Sequence, residues 1–189
     1  MSYVLPTSDY LLETPRLRLR DFAPALDAPT FFDLNLDPAV TRYTGDGPFA
    51  SVAAAEAVFT ERLARYAREG MGRWVVEARA TGDVLGWCGL RRPGTPADGP
   101  DVDLGYRFFQ RHWGQGYATE ASRACLAHGF GSLALPRIIV RIDPANATSL
   151  GVARKLGFRP LPGLVPCGIV QVQVLELTAA EWRAAQGTE

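Results

Sequence analysis

Phe108-Phe109-Gln110-Arg111-His112-Trp113-Gly114-Gln115-Gly116-Tyr117-Ala118 decides the fold. Before it, Val102 to Phe109 has the apolar content of a strand. After it, Gly116 to Leu133 carries Tyr117, Ala121, Ala124, Cys125 and Phe130 at the spacing of one helical stripe. The quoted residues therefore turn a strand into a helix through two glycines. A helix N-terminus exposes unpaired backbone N–H groups and a partial positive charge, and glycine lets a phosphate approach the backbone closely. The segment reads as an anion cradle or, on the same residues, as a glycine-rich turn with no ligand. No Lys-Ser or Lys-Thr follows, so the lysine-plus-magnesium chemistry of a P-loop is absent.

Upstream, Arg16-Leu17-Arg18-Leu19-Arg20 alternates at period two and predicts a strand with one face on a core. A helix is predicted from Ala25 to Leu36, ending before Pro38. A longer helix is capped by Ser51, runs to Glu69 and closes at Gly70 and Gly72. Arg73 to Arg79 and Val84 to Leu90 form a hairpin around Ala80-Thr81-Gly82-Asp83, and the Pro- and Gly-rich Arg92 to Asp101 reads as a surface loop. Downstream come a strand from Arg137 to Ile142 and a helix begun by Asn146 or Thr148 and closed by Gly157. One or two strands follow, the last spanning Val170 to Leu177, and then a C-terminal helix whose capping box is Thr178 with Glu181. Antiparallel neighbours mixed with a strand-helix-strand crossover predict a mixed-sheet α/β (α+β) fold. The 189 residues suit a single domain, 1–189, with its core at about 12–177.

Twenty basic and twenty acidic residues cancel, which disfavours electrostatic capture of nucleic acid or membrane. No uncharged apolar run reaches the roughly 18 residues of a membrane span. Met1 to Leu12 lacks the marks of a signal peptide, so a cytoplasmic location is expected. Cys88, Cys125 and Cys167 fit neither a disulfide framework nor a zinc spacing and read as core thiols; no metal site is expected. Gly129-Phe130-Gly131 superficially matches a dinucleotide fingerprint but follows a helix instead of a strand. Glu120, three residues before Arg123, reads as half of a helix-surface pair.

Arg111-x-x-Gly114-x-Gly116-Tyr117-Ala118-Thr119-Glu120-Ala121, followed by Asp143-Pro144-x-Asn146-x-x-Ser149-x-x-Val152-Ala153-x-Lys155-Leu156-Gly157-Phe158, resembles the GNAT superfamily of N-acetyltransferases. The Trp113 to Ala121 wording and the Thr14-Pro15-Arg16-Leu17-x-Leu19-Arg20 opening resemble its RimJ/RimL-like branch, the ribosomal-protein N-terminal acetyltransferases and their relatives. The resemblance implies a mostly antiparallel mixed sheet with a splayed central parallel pair, flanked by helices. It implies acetyl-CoA as co-substrate, with the pantetheine arm pairing with strand backbone at or beside Phe108 and Phe109. The pyrophosphate then falls on Arg111, Gly114, Gln115, Gly116, Tyr117 and Ala118. Asn146 and Ser149 are expected against the pantetheine arm and near the sulfur, although both residue types also cap helices.

Acyl transfer from a thioester to an amine needs a neutral amine, a stabilised oxyanion and a protonated leaving thiolate. Many GNAT proteins supply that last proton from a tyrosine where this chain has Ala153, so Ser149 is the implied substitute. Asp103 and Glu77 are the candidate bases by family topology. A lysine amine is neutral in about one molecule in a few thousand at pH 7 and an α-amine in about one in ten, so an α-amine asks less of the enzyme. Phe31, Phe32, Tyr43, Trp74, Trp87 and Tyr106 are candidate acceptor contacts, more of them core than pocket. The expected activity is acetyl transfer to a primary amine, either a protein or peptide α-amine or a small molecule, by a monomer or homodimer. The alternative is a catalytically idle CoA-binding sensor or interaction module, which the missing tyrosine would suit.

Overall fold

The computed structural model describes residues 10–92, 101–167 and 170–187. The chain runs β1 (Tyr10–Glu13), β2 (Leu17–Arg20), α1 (Pro24–Leu36), α2 (Pro38–Thr41), α3 (Val52–Glu69), β3 (Arg73–Ala78), β4 (Val84–Arg91) and β5 (Val102–Phe108). After a 3-10 turn at Gln110–His112 come α4 (Tyr117–Phe130), β6 (Arg137–Ile142), α5 (Ala147–Lys155), β7 (Arg159–Cys167), β8 (Val170–Thr178) and α6 (Ala179–Gln186). The eight strands form one sheet in the order β1-β2-β3-β4-β5-β6-β8-β7. Every described pairing is antiparallel except β5 with β6. The mixed α/β architecture with a central parallel pair is as expected from the sequence.

Alternation along the strands separates two cores. Leu17, Leu19, Trp74, Val76, Leu104, Phe108, Ile138 and Val140 face α4, while Val75 joins Phe22, Phe31, Leu34, Ala55 and Phe59 beneath α1 and α3. Phe22 stacks on Phe59 at 4.4 Å and meets Phe31 edge-on at 4.8 Å. A buried ion triad ties α1 to the sheet. Arg20 donates to Asp27 at 2.8 and 2.9 Å and to Glu77 at 2.6 Å, and Tyr10 Oη donates to Glu77 at 3.2 Å.

Helix ends follow the capping residues of the sequence. Ser51 Oγ accepts from Ala54 N, Asn146 Oδ1 accepts from Ser149 N, and Thr178 and Glu181 form a reciprocal capping box. Gly157, at φ 90°, ends α5 in a Schellman arrangement: Phe158 N donates to Ala153 O and Gly157 N to Arg154 O, each at 3.0 Å. The edge strand β1 is additional to the expected elements, and β7 with β8 takes the upper of the one or two strands expected after α5. Cys88 and Cys125 are buried free thiols, as expected; the Cys167 side chain and most of the 92–101 loop lie outside the described residues.

Candidate active site

The parallel pair opens almost as soon as it forms. Val102 pairs with Ile138 and Asp103 with Ile139, and from Leu104 onward β5 has no ladder partner in β6. The gap is a slot of about 80 Å³ lined by Leu104, Tyr106, Val140, Ile142, Ser149 and Ala153. It continues into a cavity of about 270 Å³ under α3, reached by Tyr43, Trp87, Asp103, Arg107, Asn146 and Ser149. The passage thus joins the α4–α5 side of the sheet to the α1–α3 side.

At the C-terminal end of β5 the chain turns into α4 through two glycines. Gly114 and Gly116 have φ of 73° and 81°, a left-handed region costly for other residues. A Cβ at Gly114 would meet no protein atom within 4 Å, so the space above the turn is open. Gly116 is the N-cap of α4 and has no side chain to cap the first-turn N–H groups, beginning with those of Tyr117 and Ala118. Open space, glycine backbone and uncapped donors fit the pyrophosphate of acetyl-CoA. Gln115 Nε2 donates to Arg111 O at 3.2 Å and closes the turn, while the exposed Arg111 guanidinium lies 4.1 Å from the Phe109 ring centroid.

Phe108 and Phe109 contribute differently. Trp113 Nε1 donates to Phe108 O at 2.8 Å, Phe109 N donates to Leu85 O, and Phe109 O accepts from His112 N. Three of their four backbone groups are therefore engaged inside the protein. Gly105 and Tyr106, further back on β5, line the slot.

Glu120 does not pair with Arg123. Its carboxylate accepts from Thr14 Oγ1 at 2.6 Å, Arg16 N at 3.1 Å and Arg16 Nε at 2.6 Å. Burial works to raise the Glu120 pKa, and these hydrogen bonds together outweigh it and hold the group below the usual carboxylate range.

Asn146 and Ser149 are brought together at the start of α5, and both line the cavity. Tyr106 lies beside them. Its hydroxyl is buried and has no hydrogen-bond partner of ordinary geometry among the described residues. Burial pushes the phenol up to about 12, with the neighbouring Ser149 side chain opposing part of that shift. Ala153, where a tyrosine was sought, is 2% exposed in the core.

The two candidate carboxylates part company. Asp103 lines the cavity; Glu77 lies at the other end of β3 in the Arg20–Asp27 triad and does not. Asp103 accepts from Arg73 Nη2 at 3.0 Å, with Arg91 Nε and Arg141 Nη1 at 3.8 and 4.0 Å. Gly105 permits this: a Cβ there would stand 2.6–2.8 Å from the Arg73 guanidinium. Arg73 and Arg107 also lie 5.1 and 5.6 Å from the Trp87 ring. Of the aromatic candidates, Tyr43, Trp87 and Tyr106 line the cavity, while Phe31 and Trp74 are core and Phe32 lies elsewhere. The arginine array went unrecognised in the sequence.

The architecture has known counterparts. Residues 16–159 match the family model described as an acetyltransferase (GNAT) domain. The protein YkkB of Bacillus subtilis, described as uncharacterised, is 42% identical over 88 residues, and the match spans 47% of this chain and about half (51%) of that relative. The uncharacterised N-acetyltransferase p20 of Bacillus licheniformis is 31% identical over 149 residues, 78% of this chain and 82% of its own length. An acetyltransferase from Agrobacterium tumefaciens superposes with a TM-score of 0.74 at 30% identity, covering 94% of this chain and 96% of that one. With the splayed pair and the glycine cradle, these matches show that the chain belongs to the GNAT family of acetyltransferases.

Proposed function

We propose that this domain transfers an acetyl group directly from acetyl-CoA to a primary amine, the amine entering from the α1–α3 side of the sheet. The observation that carries the reading is the continuous passage through the splayed β5–β6 pair, with the cradle at the end of β5 and Ser149 where slot and cavity meet. When bound, acetyl-CoA supplies the activated thioester. The first-turn N–H groups of α4, with Gly114 and Gly116, hold its pyrophosphate. Asn146 caps α5 through Oδ1, leaving its Nδ2 donors for the pantetheine arm.

Ser149 hydrogen-bonds the departing sulfur, and Tyr106 supports it from β5. A phenol whose pKa is pushed up to about 12 stays protonated at working pH and remains a donor. Asp103, surrounded by three guanidiniums, is suited to hold them in place more than to accept a proton. An α-amine, about one-tenth neutral at pH 7, loses its proton to solvent without a strong base.

A protein or peptide N-terminus, or a small-molecule amine, is the proposed acceptor class, and the RimJ/RimL-like wording of Trp113 to Ala121 supports the first. Buried free thiols at Cys88 and Cys125, 3.7 Å apart, support a reducing, cytoplasmic setting. Thiol release from acetyl-CoA against an amine panel tests the reading. Release that depends on the amine is expected; tight CoA binding with no release for any amine would favour the idle module.

A further inference from the structure

Five arginines line the cavity against three aspartates, with no lysine or glutamate, so the pocket meant for a cation carries a net excess of two positive charges. Arg73 on β3, Arg91 on β4 and Arg141 on β6 converge on the single carboxylate of Asp103, between 3.0 and 4.0 Å. Two of the five arginines also keep an N–H group without an acceptor among the described residues. Arg107, its side chain 8% exposed, spends its Nη groups on Asp46 and Asn35, yet its Nε is buried with no acceptor among the described residues. Arg91, its side chain 37% exposed, has an Nε that is itself covered and has no hydrogen bond among the described residues, its distance to Asp103 being 3.8 Å.

Buried guanidinium N–H groups left unsatisfied are costly, and the fork of a guanidinium matches a carboxylate. A polycation entering this cavity would meet repulsion.

We propose that the acceptor is an amine that also bears a carboxylate, and that Arg91, Arg107 and the Arg73–Asp103–Arg141 cluster bind the carboxylate while the amine reaches Ser149. The inference rests on the acetyltransferase reading and narrows its substrate class. The carboxylate belongs either to a free amino acid or to an acidic residue near a peptide N-terminus.

Matched pairs test it. Free amino acids are compared with their amides, Ser-Asp peptides with Ser-Asn peptides, and spermidine serves as the uncarboxylated polyamine. Within the preferred pair, kcat/KM should favour the carboxylated member by roughly 10–100-fold, although the amide of an amino acid has the more readily neutral amine. Which pair shows the preference identifies the source. Arg91→Gln should raise the acceptor KM by about 10-fold and leave calorimetric affinity for acetyl-CoA unchanged.

Binding is read separately by calorimetry with N-acetylated amino acids and peptides against their amide counterparts. Equal turnover of both members, or preference for spermidine, overturns the inference while acetyl transfer stands. No turnover at all overturns the acetyltransferase reading; calorimetric preference for the carboxylated probe, lost in Arg91→Gln, then still supports the anion site, and its absence overturns it.

Discussion

Arg16 and Glu120 are 104 residues apart in sequence and meet through Nε and Oε2 at 2.6 Å, joining the β1–β2 turn to the first turn of α4. The same arginine donates from Nη1 to Gln115 O at 3.0 Å, and its guanidinium lies 4.7 Å from the Tyr117 ring centroid. Two cradle residues, Gln115 and Tyr117, are thus held from outside the cradle, with Glu120 of the same helix turn as the anchor. The chain positions its glycine turn by a contact that neither segment contains alone.

Replacing Glu120 by Gln should loosen that contact. Arg16 is half exposed and its ion pair is partly screened, so a stability loss of about 1–2 kcal/mol is expected. The sign with pH follows from a carboxylate held below its ordinary value of 4.5. Its contribution is complete above that value and is lost as pH falls through the lower folded value. Thermal melts should show wild type and Glu120→Gln separated at pH 7 and converging in acid. A gap that persists undiminished at the acid end would mean the carboxylate's charge is not what matters.

Gly116→Ala and Gly116→Asp separate backbone strain from charge at the cradle. Both place a side chain at φ 81°, for about 1 kcal/mol of stability. Only aspartate adds a negative charge beside the uncapped N–H groups. Calorimetry should find acetyl-CoA affinity reduced in the alanine variant and abolished in the aspartate variant, with both still folded by circular dichroism. Equal affinities would remove the pyrophosphate from this turn.

Asn146 carries two separable duties. Asn146→Asp keeps the acceptor oxygen that caps α5 but removes the Nδ2 donors, whereas Asn146→Ala removes both. The alanine variant should lose about 1 kcal/mol of stability and the aspartate variant little. Acetyl-CoA affinity should fall in both, by about 1–2 kcal/mol in the alanine variant. Unchanged affinity in both would reduce Asn146 to a cap.

Legibility in the sequence followed the range of the signal. The strand-cradle-helix unit, the caps at Ser51, Asn146 and Thr178, and the Gly157 terminus were readable because each is decided by residues a few positions apart. A second C-terminal strand stays open in the sequence and without bounds, because Pro160, Pro162 and Pro166 argue against a strand; β7 forms at the edge of the sheet, where proline is tolerated. Arg73 and Arg141 each read locally as a strand charge, and Arg91 as a charge just past a strand end. Only the order β3-β4-β5-β6 brings them around Asp103, and nothing local encodes that order. Tyr106 was picked out as an aromatic contact, but its proximity to Ser149 depends on the docking of α5 against the splayed pair.

Tyr106 and Ser149 should behave as a unit. Each of Tyr106→Phe and Ser149→Ala is expected to lower kcat by about 10–100-fold with little change in the acetyl-CoA KM, since both act on the departing sulfur. The double variant should lose far less than the product of the two effects, because removing either member disables the pair. Multiplicative losses would make them independent contacts.

Asp103→Asn decides between a base and an organiser. A carboxylate that accepts the ammonium proton contributes about 10²–10⁴ in rate, and its loss is relieved once the pH exceeds the acceptor pKa, because solvent has then made the amine neutral. An organiser of Arg73, Arg91 and Arg141 shows no such relief. Removing its charge leaves three guanidiniums repelling one another around a neutral amide, misplacing the groups that contact the acceptor. The expected result is an acceptor KM raised by a factor that stays constant from pH 6 to 10, with kcat changed less than KM. A defect that is large at pH 6 and disappears by pH 10 would return the base role to Asp103 and assign the arginines to tuning that carboxylate instead of binding the acceptor.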